Sequence, residues 1–187
     1  MLADFIEQYP EATLVLAQTT YLQLAIERAL FRVDLLDKTE FRLKPGVRGA
    51  LAYYTQHPLL LDYNQPSATL YLSSRSDNAQ ALLHDLSRAV ASASQNWRAL
   101  PRYLFGFSAA GASTLVLKNL ADGSGILLES APAEIVRAVI TTCEQHGVTT
   151  YFRGSINLEL KLGAELFSIP FIGSCYVIAR SFLVRPV

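Results

Sequence analysis

The chain has 187 residues, of which 51% are hydrophobic and 17% charged. That apolar balance excludes an intrinsically disordered chain. Sixteen basic and sixteen acidic side chains cancel, so no overall field draws the protein to nucleic acid or to an anionic membrane, and two cysteines are too few for a disulfide scaffold or a four-cysteine zinc site.

The N-terminus, Met-Leu-Ala-Asp-Phe-Ile-Glu, has no basic start and no long apolar run, so it does not read as an export signal. The expected compartment is the cytoplasm, where Cys143 and Cys175 stay reduced. Residues 12–17, ATLVLA, form an apolar run suited to a buried strand. Thr20 and Gln23 have capping-box spacing, and Leu22, Ile26, Ala29, Leu30 and Val33 recur at helical intervals, so a helix is expected from Thr20. Arg28 and Arg32 would then be a like-charged pair, with Asp34 and Asp37 near enough to pair with them. A strand is expected at 39–44, a short helix at 47–56, and a hairpin from 59–63 and 68–73 around Asn64-Gln65-Pro66-Ser67.

The strongest helical pattern follows, with Ala79, Leu82, Leu83, Leu86, Ala89, Val90 and Ala93 on one face between a cap at Ser76 or Asp77 and Asn96. Runs at 114–119 and 125–130 flank Ala-Asp-Gly-Ser and predict a second hairpin, because Asp122-Gly123 suits a turn with positive φ. Ser130, Pro132 and Gly147 bracket a helix with the stripe Ile135, Val136, Val139, Ile140 and Cys143. Strands are expected at 148–152, at 156–162, where Leu158, Leu160 and Leu162 alternate with polar residues, and beyond. Leu166 to Val184 holds nineteen residues with one charge, but Pro170, Gly173 and Arg180 argue for short buried strands over a membrane span.

These elements predict one α+β domain over 1–187 with a mixed or antiparallel sheet. Its ferredoxin-like, split βαβ core would lie at about 68–153, with a βαβαβ elaboration at 1–67 and C-terminal strands at 154–187.

The most unusual cluster runs from Trp97 to Phe105 and holds the only Trp, Arg98, Arg102, Tyr103 and Phe105. Trp, Tyr and Arg are enriched at interface hot spots, and they also grip anions or stacked bases; the neutral net charge weighs against nucleic acid. The plain alternative is a Trp closing the core beside solvated arginines. Glu159-Leu160-Lys161 has the E-x-K spacing of metal-dependent nucleases, but the motif is short and no Asp precedes it on a strand. An exposed strand face with Asn157 is the better reading. Ser108 in Gly-Phe-Ser-Ala-Ala-Gly misses the nucleophile-elbow pattern by one residue. Cys143 and His146 lie three apart on a helix, too few ligands for a metal. No cofactor and no metal is expected. The leading reading is a non-catalytic binding or assembly protein acting through protein–protein contacts, with itself or with another protein, and not at a membrane. The runner-up is a small hydrolase or nuclease using Ser108 or Glu159 and Lys161.

Overall fold

The computed structural model describes residues 2–17, 20–38, 40–42, 51–106, 112–152, 169–172 and 175–187. They show an α+β protein with antiparallel sheets, and the chain divides into two compact units. One comprises residues 1–60 and 163–187, and the other residues 61–162.

The first unit is mainly β. After helix α1 (Leu2–Gln8) come β1 (Thr13–Ala17), β2 (Tyr21–Ile26), β3 (Ala29–Leu36), β4 (Glu40–Arg42) and β5 (Ala52–Tyr54). The helix expected from Thr20 is therefore the hairpin β2–β3. Leu22 and Ile26 fit a helical stripe and a strand face equally, but Leu24 is fully buried with them and the three alternate with half-buried neighbours. That period of two decides for a strand. Glu27 adopts a left-handed φ of 51° at the reversal. The expected helix at 47–56 gives way at 52–54 to β5; residues 43–50 lie outside the described ones.

Strands from the C-terminal part complete this unit: β9 (Ile169–Ile172), β10 (Cys175–Ile178) and β11 (Ser181–Pro186). One sheet has the order β1-β2-β3-β11 and the other β4-β10-β9-β5. The described residues of the apolar stretch at 166–184 thus fall mainly in strands, and among the described residues no helix is long and apolar enough to cross a membrane. The two sheets share one core, in which Leu14, Leu22, Leu24 and Val33 meet Val177, Ala179 and Phe182. The corner where β3 passes to β4 is marked by Asp37, φ 51°, facing Arg180 at 3.6 Å.

The second unit begins with α2 (Leu61–Asn64) and continues with β6 (Ser67–Leu72), α3 (Ala79–Ala93), α4 (Ala112–Asp122), β7 (Gly125–Pro132), α5 (Ala133–Gln145) and β8 (Thr150–Phe152). Its sheet has the order β7-β6-β8, with both outer strands antiparallel to β6. β7 and β8 therefore run parallel with β6 between them, joined by α5. Ala68, Leu70 and Leu72 face α3 and α5, which pack on each other through Leu82, Leu86, Val90, Ile135, Val136 and Val139.

Three expectations fail at the start of this unit and within it. Ser130 does not open the helix but lies in β7, and Pro132 takes the cap position. Residues 59–63 are not a strand: a 3-10 turn (Pro58–Leu60) leads into α2. Residues 114–119 are not a strand either but the middle of α4, which buries Val116 and Leu120 four apart. Gly123 has the positive φ, 68°, on which the hairpin expectation rested, but it uses it to end a helix: the Gly123 and Ser124 N–H groups donate to the Asn119 carbonyl. A left-handed glycine serves a tight turn and a helix terminus alike. A side chain here would also collide with the Ser74–Arg75 backbone, since a Cβ would lie 2.1 Å from the Arg75 nitrogen.

Candidate interface around Asp62

The Trp97–Phe105 segment is shaped by how α3 ends. Ser94 is fully buried, and its hydroxyl donates to the Val90 carbonyl at 2.8 Å while accepting the Arg98 N–H at 3.1 Å. Gln95 and Asn96 both take left-handed φ, 49° and 64°, which turns the chain back. Trp97 follows with its N–H donated to the Ser94 carbonyl. A 3-10 turn, Leu100–Arg102, places Pro101 where a missing N–H costs nothing and buries Leu100. Leu104 then forms an isolated antiparallel bridge with Leu128 of β7, and the Glu129 N–H donates to the Tyr103 carbonyl at 2.8 Å.

This path brings three of the cluster's side chains to one carboxylate, Asp62 of α2. Tyr103 donates its hydroxyl to Asp62 Oδ1 at 2.7 Å. Arg102 Nε donates to Oδ2 at 2.9 Å, and Arg98 Nε faces the same oxygen at 3.1 Å. The Arg98 and Asp62 side chains are only 8% and 12% exposed, whereas Arg102 is half exposed. Desolvation pushes the Tyr103 phenol up from its ordinary value; the hydrogen bond to Asp62 and that carboxylate's charge add to the rise, and the two guanidiniums oppose it. Tyr103 thus keeps its proton and Asp62 has both oxygens engaged. Such a group braces a segment.

Trp97 stands at the start of the braced segment, 40% exposed. Phe105 is half buried beside β7, with its N–H toward the Leu127 carbonyl at 3.4 Å. Asp62 is the residue that sequence reasoning missed. The signal available was its place directly after Leu59-Leu60-Leu61, since an acid drawn into a core by such neighbours needs a cationic partner. The strand expected at 59–63 obscured its direction.

Ser108, Glu159 and Lys161 lie outside the described residues, as does Asn157. Cys143 is fully buried in the apolar core, and its thiol is pushed up to about 12, by burial first and by the charge of Glu144 second. His146 turns away from it: its Nε2 lies 2.9 Å from Asp85 Oδ2 on α3. Among the described residues no three His, Cys, Asp or Glu side chains converge as a metal site would require. No protein family, curated protein or solved structure matches this chain.

Proposed function

We propose that the protein is a non-catalytic binding or assembly protein that associates through Trp97, with itself in the first instance. The observation that carries this reading is a large aromatic side chain, 40% exposed, on a segment immobilised by the Asp62 cluster. An exposed Trp on a rigid base loses little conformational freedom on docking, and half-exposed Arg102, five residues on in the same braced segment, supplies a polar group for the rim. The protein acts in the cytoplasm on this reading, with its two buried cysteines kept as thiols.

The second unit is read as a ferredoxin-like core with a contracted second strand. In that order the second strand stands outside the third, antiparallel to it. Leu104 occupies this place by bridging Leu128 on the side of β7 away from β6. Helix α4 is then an insertion between the second and third strands, at the position where 114–119 was expected to pair.

Light scattering tests the functional reading. The wild-type protein should weigh more than one 20.6 kDa chain, and Trp97→Ala combined with Arg102→Ala should release folded monomers. Arg98 and Tyr103 still hold Asp62 in that variant, so the unit keeps its circular dichroism. A wild type that stays monomeric at every concentration, or an oligomer indifferent to the double substitution, sinks the reading.

A further inference from the structure

The sheet β1-β2-β3-β11 buries Leu14, Leu22, Leu24, Val33, Leu35 and Phe182 on one face. Its other face is unusually organised. Along β3 it presents Leu30, Arg32, Asp34 and Leu36, and in the antiparallel register Arg185 lies directly across from Arg32 and Leu183 across from Asp34. Two arginines opposed on neighbouring strands repel unless an anion joins them. Asp34 does so in part: its Oδ1 accepts from Arg32 Nε at 2.6 Å and its Oδ2 lies 3.3 Å from Arg185 Nε. Among the described residues it is the one acid within ion-pair distance of either, so the trio keeps one surplus positive charge. The two arginine side chains remain 50% and 60% exposed. Arg32 is further fixed by lying over the Tyr21 ring, 4.2 Å from its centroid. Leu30 and Leu183, both exposed, stand in the rows on either side of the arginine pair.

We propose that this face docks an extended acidic segment of another protein, with one carboxylate seated between Arg32 and Arg185. Residues two apart in a strand lie about 6.7 Å apart on one face, which is also the spacing of the rows here. A sequence of the form aliphatic–x–Glu–x–aliphatic therefore puts its carboxylate over the arginine pair and its flanking side chains on Leu30 and Leu183. The guanidinium forks offer paired N–H groups suited to that carboxylate. A second copy of this chain is the poorer occupant: two such faces together would bury four guanidiniums against two carboxylates. A nucleic acid is poorer too, because Arg32 already covers Tyr21, the one ring among the described residues of this face that would stack a base. This surface is separate from Trp97, and the inference does not depend on that residue.

The test uses full-length protein and a capped peptide, Leu-Ser-Glu-Ser-Leu, followed by amide NMR shifts. The expected result is saturable shifts centred on Leu30, Arg32, Leu183 and Arg185. Replacing the peptide Glu by Gln, or Arg32→Gln together with Arg185→Gln in the protein, should weaken binding about tenfold or more. Wild-type binding should also fall several-fold as NaCl rises to about 1 M, where the screening length is about 3 Å; this arm needs no variant to fold. Equal binding of the Glu and Gln peptides, absence of shifts on this face, or salt-independent binding overturns the proposal. So does oligouridylate binding this face more tightly than the peptide.

Discussion

Asp62 shows how much one carboxylate can organise. It lies among two arginines and a tyrosine with little access to water, so removing it takes a charged partner from buried Arg98 and an acceptor from Tyr103. Asp62→Ala should cost about 3–5 kcal/mol in urea unfolding, the usual result of breaking a buried pair from one side. Tyr103→Phe removes a single hydrogen bond to a charged acceptor and should cost about 1.5–3 kcal/mol. If Asp62→Ala melts like the wild type, the cluster does not brace the segment. The arginines of this cluster were legible in the sequence as unusual, because two lie close to the only Trp. Their partner was not legible, because Asp62 precedes Arg98 by 36 positions and only the fold brings them together.

At the scale of elements, β7 carries its own irregularity. Between the pairs Ala68–Ala131 and Leu70–Leu128 it has two residues opposite one, and Ser130 takes a φ of 51° there. That bulge keeps Leu128 and Ala131 on the buried side. Ser130→Val should lower stability by about 1–3 kcal/mol, because a β-branched residue resists left-handed backbone, while Ser130→Gly should be tolerated. A Val variant as stable as the wild type would show that the bulge can move. The longest helices, α3 and α5, could be read from the sequence because each has one apolar stripe and packs by it. Residues 22–33 and 114–119 could not. In the first, the apolar spacing satisfies two periods, and burial of Leu24 against the core chooses between them. In the second, β-prone Thr114 and Val116 fall in a helix because Val116 and Leu120, four apart, both reach the core at that spacing. The surplus charge at Arg32 and Arg185 was equally hidden, since Arg185 comes from a strand far along the chain.

Over the whole molecule, buried acids that keep their protons make stability depend on alkali. The Cys143 thiol is pushed from 9.0 to about 12 by burial, and the Tyr103 phenol moves in the same direction. The folded chain therefore holds both protons more tightly than the unfolded chain does. The stabilisation is complete below about pH 9 and is lost as pH climbs from there toward 12. Urea midpoints measured from pH 8 upward should fall through that window. In Cys143→Ala the fall should be shallower and begin nearer the ordinary tyrosine range. An unchanged slope in that variant refutes the assignment. The antiparallel pairing of β3 with β11 has a further consequence in time. Ser181 follows its partner Leu36 by 145 residues, so at roughly 5–20 residues per second the ribosome needs about 7–30 s to deliver β11 after β3. For that interval β3 is an open edge, with unpaired N–H and C=O groups available to any neighbouring strand. Arg32 and Asp34 lie on this strand, and charges at such positions discourage pairing with the wrong chain. The side chains that give the finished sheet its outer face thus also guard the nascent one.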